Sequence, residues 1–153
     1  MSLPRERILE NIKTTLEQIS VANGYNNDIE SVQRWMQHGN SLFDMPCIII
    51  AAASEEQHPG PAPLVSCSLA VELTLWYRQP ENDNVSTDTR LNSLLEDVMR
   101  ALYADYTRGG LAQDTEITAI MPFESVEGQP NTGLIIEVAV AYRYYRDNPA
   151  QAG

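Results

Sequence analysis

The stretch Leu64 to Arg78, LVSCSLAVELTLWYR, alternates between two kinds of position for more than a dozen residues without a miss. Val65, Cys67, Leu69, Val71, Leu73, Leu75 and Tyr77 fall on one side. Ser66, Ser68, Ala70, Glu72, Thr74, Trp76 and Arg78 fall on the other, because successive strand side chains point to opposite faces. This is one long half-buried strand. At the usual rise it runs roughly 45 Å, beyond what a compact domain of this size needs.

A second stretch repeats the pattern. In Leu134 to Arg146, the residues Leu134, Ile136, Val138, Val140, Tyr142 and Tyr144 form one face, and Ile135, Glu137, Ala139, Ala141, Arg143 and Tyr145 form the other. Between the two strands, Leu91, Leu94, Leu95, Val98, Met99 and Leu102 recur with helical period after a Ser86 or Thr87 cap. The pair Gly109-Gly110 marks the stop, so a helix is expected over 87–108.

The first helix is expected over 4–20, opened by Pro4 and carrying Ile8, Leu9, Ile12, Leu16 and Ile19. Turn chemistry at Asn23-Gly24 and Asn26 to Asp28 precedes strands within 29–53: a short edge strand, Ile29 to Met36, then the apolar run CIIIAAA after Pro46. That run is apolar on both faces, so its second face needs cover. Ser54 to Pro63 carries three prolines and a glycine and is expected to be a mobile hairpin loop. Two strands are expected within 115–146, the first covering Glu116 to Met121 and ending at Pro122, with the turn-rich EGQPNTG, Glu127 to Gly133, between them. Asp147-Asn148-Pro149 then leads into a loose tail, 147–153. The sum is one α+β domain: a largely antiparallel sheet of four to five strands with two helices packed on one face.

The chain carries 10 basic against 21 acidic residues, a net charge of -11, with no basic cluster. Grip on a phosphate backbone needs Lys and Arg, so nucleic-acid binding is not expected. The two cysteines, Cys47 and Cys67, lack zinc spacing and are too few for a disulfide scaffold. Two buried free thiols are favoured over a bond between neighbouring strands, and with them a reducing compartment. The N-terminus has no apolar signal region and the longest apolar run is too short to span a bilayer, so a soluble cytoplasmic protein is expected.

No catalytic signature is present: no G-x-S-x-G, no glycine-rich phosphate loop, no H-E-x-x-H. His38 and His58 read as surface histidines, and Glu81, Asp83 and Asp88 as a solvated turn and helix start. Glu96 and Asp97 read as solvent-facing charges. Only Glu72 and Glu137, each inside a long strand, could serve as a carboxylate pair in a pocket between sheet and helices. Otherwise they lie on the outer sheet face. The aromatics at the strand ends serve either as protein contacts or as packing; Trp76, Arg78, Arg143 and Tyr145 are the candidate subunit or partner contacts.

The leading helix, GYNNDIESVQRW, the apolar strand after Pro46, LVSCSLAVELTLWYR, the central helix and the closing GLIIEVAVAYRYYRDNP together resemble the tail terminator (tail completion) proteins of long-tailed bacteriophages and prophages. The resemblance covers nearly the whole chain and lies in layout and the Tyr-Arg-Tyr closing strand. It implies a homo-oligomeric ring, typically hexameric, that caps the tail tube and joins it to the head. The partners would be the tail tube protein and a head-completion protein, with the host cytoplasm and then the virion tail as location. It brings no enzyme activity and no cofactor, and no motif that transfers a role to a particular residue. Overlong strands suit subunits that complete one another around a closed ring, whose acidic inner wall would let a genome slide. The alternatives are a small-molecule-binding or enzymatic α+β domain, and an accessory subunit of another contractile tube.

Overall fold

The computed structural model describes residues 2–35, 44–61, 63–124 and 131–153. Helix α1, Pro4–Glu17, starts with the proline in its first turn and buries Ile8, Leu9, Ile12 and Leu16. It stops short of residue 20, and a single 3-10 turn, Val21–Asn23, follows. Ser20 caps that turn by accepting from the Asn23 amide.

Helix α2, Thr87–Ala104, is capped by Ser86, which accepts from the Thr89 amide, and buries Leu91, Leu94, Val98 and Leu102. It ends before the expected residue 108. Arg108, Gly109 and Gly110 all have left-handed φ, at 51°, 69° and 88°, which no helix can continue through. The Arg108 side chain is fully buried and turns back to donate to the Leu102 and Asp105 carbonyls, supplying partners that the helix end lacks. Burial lowers the pKa of this guanidinium.

Among the described residues, six strands form one mixed sheet: β1 (Ser31–Arg34), β2 (Cys47–Pro59), β3 (Leu64–Arg78), β4 (Asp114–Glu124), β5 (Asn131–Tyr145) and β6 (Asn148–Ala152). The order across the sheet is β1-β2-β3-β5-β4, with β6 added to the end of β5. Of the pairings among these six strands, β1 with β2 is parallel and the others are antiparallel. The α+β class, the two helices on one face and the mainly antiparallel sheet agree with the sequence expectation.

Several boundaries differ. The expected loop at 54–63 is strand as far as Pro59, since pairing with Val65 to Ala70 satisfies a backbone whose residues have weak strand preference. Strand β4 runs through Pro122, which costs little because β4 is an edge strand. The expected loose tail is β6, tied by Gly153 N–H to the Arg143 carbonyl and by Arg7 to the Ala150 carbonyl. Of the expected Ile29–Met36 strand, Ser31–Arg34 is formed; Met36 and His38, with most of the expected turn at Glu127 to Gly133, lie outside the described residues.

The inward faces of β2, β3 and β5 pack against both helices in one hydrophobic cluster containing Ile48, Ile50, Leu73, Leu75, Ile136 and Val138. Two bulges interrupt the ladders, near Ala53 in β2 and near Thr118 in β4. The first flips the outer half of β2, so that Glu55 and Gln57 point to the helix side, opposite Leu69 and Cys67.

Asp97 was expected on the surface and is instead fully buried. Its carboxylate accepts from the Asn26 amide, the Asn27 amide and Asn27 Nδ2, each at 2.9 Å, and so clamps the 25–28 turn to α2. Replacing Asp97 by Ala strips three part-buried donors of their buried acceptor. We expect a loss of roughly 3 kcal/mol in urea unfolding. Asp97→Asn should not restore it, because its amide group turns N–H against N–H.

Candidate functional site

The β3–β5 register places every outward residue. Rows run across the sheet: Cys47, Trp76, Gly133, Phe123; then Gln33, Ile49, Thr74, Ile135, Met121; then Ala51, Glu72, Glu137, Ala119. Further along lie Ala70 with Ala139 and Ser68 with Ala141, then Ser66 with Arg143 and Leu64 with Tyr145. Among the described residues, no helix lies on this outer face.

At one end Trp76 leans across β5 onto Phe123, edge to face, with ring centroids 4.8 Å apart. The strand between them must be bare: a Cβ on Gly133 would lie 1.9 Å from the Leu75 carbonyl oxygen and 2.7 Å from the Phe123 ring. Arg78 is exposed nearby, with Nε donating to Asn131 Oδ1 at 2.9 Å. The other two candidate contacts, Arg143 and Tyr145, share this face and stand half-buried at its far end, roughly 40 Å of strand away. The four residues thus mark two separate ends of one face, as antiparallel pairing of the strands requires.

Glu72 and Glu137 stand directly opposite one another in the middle of the outer face, turned away from the helices. The pocket in which they would act as an acid–base pair is not where they point. Facing like charges on adjacent strands repel, so this pair opposes folding slightly.

The apolar part of the face includes residues whose role the sequence reading missed. Met121 is 48% exposed and Trp35, just past β1, 67%. The signal in the sequence was ITAIMPF, apolar at positions that an edge strand cannot bury on both sides. The β4 edge itself is blunted. Beyond the Thr118 bulge, the Ile117 amide donates to the Tyr103 hydroxyl at 3.0 Å, and Pro122 offers no donor.

On the helix side, the flipped half of β2 builds a polar cluster. Tyr142 donates its hydroxyl to Glu55 at 2.7 Å, Arg5 reaches the same carboxylate at 3.4 Å, and Tyr144 bonds Gln57 at 2.9 Å. A half-open cavity of about 280 Å³ lies beside them, bordered also by Arg146 and Pro149. Burial, then the Glu55 carboxylate, raises the Tyr142 pKa. These polar groups satisfy one another and link the start of α1 to β2 and β5.

Elsewhere the charges are local. Asp83 pairs with Arg90 at 2.9 Å ahead of α2, and the exposed His58 lies 3.6 Å from Glu56. Among the described residues, no three His, Cys, Asp or Glu side chains are grouped to hold a metal ion, and no helix is long and apolar enough to cross a membrane. No protein-family model matches the chain, and no curated protein matches it.

Cys47 and Cys67 are both buried free thiols, on opposite faces and far apart in register. Burial pushes the Cys47 thiol up to about 11 from 9.0, and raises that of Cys67. Neither should react with an alkylating reagent at pH 8 in the native state, while both react in urea. The fold favours the neutral thiol, so the Cys47 contribution is intact below pH 9 and is lost as pH rises through 11. Unfolding midpoints measured across that interval should fall less steeply in Cys47→Ala. Gly133→Ala forces a Cβ into backbone and ring and should cost about 3 kcal/mol, read as a lowered midpoint in urea unfolding.

Proposed function

We propose that the protein is a structural assembly subunit, a tail terminator of a long-tailed phage or prophage. It forms a ring that caps the tail tube and joins it to the head. The observation that carries this reading is the outer sheet face: two fifteen-residue strands whose outward side has no helix among the described residues and bears aromatic and apolar residues at one end and Arg143 with Tyr145 at the other. A face of that size and mixed character suits contact with other subunits, and the pairing of Trp76 with Phe123 gives it a rigid aromatic anchor.

The reading needs no chemistry. Its partners are further copies of the chain, in a ring we take to be hexameric, with the tail tube protein on one side and a head-completion protein on the other. It assembles in the host cytoplasm and ends in the virion tail. The blunted β4 edge directs contact to the faces and strand ends rather than to edge-to-edge sheet extension. The small-molecule alternative is weakened by Glu72 and Glu137, which face away from the helix-side space in which it would place them.

Sedimentation velocity on the purified protein, alone and mixed with assembled tail tubes, tests the proposal. A closed ring, formed alone or on the tube end, is expected; Arg143→Glu should abolish it while leaving the circular dichroism unchanged. A strict monomer in both conditions overturns it.

A further inference from the structure

The middle of the outer face combines three features. First, the row Ile49, Thr74, Ile135, Met121 crosses four strands and ends in a half-exposed methionine. Second, Glu72 and Glu137 oppose each other in the next row. Third, the flanking positions of that row are Ala51 and Ala119, and the next pair is Ala70 with Ala139, so small side chains border the two carboxylates on every side but that of the apolar row. The result is an apolar strip beside a pair of like charges with open space between small side chains.

The pair repels in the isolated chain, and a cation set between the two carboxylates would turn the repulsion into attraction. The chain supplies none. Every arginine except Arg143 and Arg146 already donates to an acceptor within the chain. Arg143 lies on this same face at its far end, opposite Ser66. The remaining two cations, Lys13 and Arg146, have acidic sequence neighbours, Glu10 and Glu17 for the first and Asp147 for the second. A second copy of this chain carries the same net charge of -11, so like charge opposes its docking over the two carboxylates, and a partner of opposite charge matches them.

We propose that this part of the outer face docks a segment of a different protein, one with an apolar stripe bordered by Lys or Arg. The stripe covers the Ile49 to Met121 row and a basic side chain sits between Glu72 and Glu137. This goes beyond the ring reading: it says which part of the face is left for a partner of opposite charge, and it holds whether or not the chain forms rings.

The test is a titration of the nitrogen-15-labelled protein with a short synthetic amphipathic helix whose leucine stripe is bordered by lysines, beside the same peptide with glutamates in place of the lysines. Amide shifts are expected to centre on Ile49, Thr74, Ile135, Glu137 and Met121, with the glutamate peptide silent. Glu72→Gln with Glu137→Gln should weaken binding by roughly tenfold with the fold unchanged, the order of one charge-assisted contact. Met121→Asp, removing the strip and leaving the carboxylates, should weaken it as well. Equal binding of the two peptides, shifts that centre elsewhere, or undiminished binding by the double variant would overturn the proposal. So would concentration-dependent shifts at the same residues without peptide, which would assign the face to a second copy.

Discussion

The fifteen-rung antiparallel ladder between β3 and β5 is the constraint on which the rest of the structure depends. With a side-chain period of two, one register sets the facing of every residue in both strands at once. Val65 through Leu75 and Leu134 through Tyr142 must then lie on one side, and burying them needs both helices there. Nothing of that kind is demanded by the other side, where the same ladder leaves Ser, Ala, Glu and a few large apolar groups. The contrast between the faces is a property of two strands. The remaining elements close the ends and cover the edges.

Charge follows the same division. The helix side carries acids that are answered locally: Glu6 and Glu10 by Arg34, Glu55 by Arg5 and Tyr142, Asp97 by two backbone amides. Hydrogen bonding to Arg34 lowers the Glu6 pKa. The outer face has no such answer at its centre, where Glu72 meets only Glu137. Two acids of the excess thus stand together where a partner could relieve them.

The strands with long alternation were legible in the sequence, because seven or more consecutive in-out choices leave little room for another period. Both helices were legible from their apolar stripes and from Pro4 and Ser86. Their last turns were not, since the end of α2 is decided by three left-handed residues and by a buried arginine returning to the helix carbonyls, a tertiary contact. Strand at Ser54–Pro59 was hidden for a similar reason: Glu55 and Gln57 gain their place from Tyr142 and Tyr144, far along the chain. The two-ended arrangement of Trp76, Arg78, Arg143 and Tyr145 followed from antiparallel pairing alone. Phe123, Gly133 and Met121 joined the face only once β4 was set beside β5, which no local pattern declares.

The two bulges are joined through the central ladder. In β2 the irregularity falls opposite Val71 and Ala70, in β4 opposite Val138 and Glu137, and Val71 pairs with Val138. Both outer strands therefore carry their extra residue at one level of the sheet, which is creased along a single line. Forcing β2 into an unbroken ladder with Ala53 retained would do more than straighten a strand. Every side chain from Ser54 to Pro59 would exchange inside for outside, bringing His58 and Glu56 beneath the helices and stranding Tyr142 without its carboxylate. The crease thus decides which side of the sheet the end of β2 faces, although it lies in an exposed and polar part of the chain.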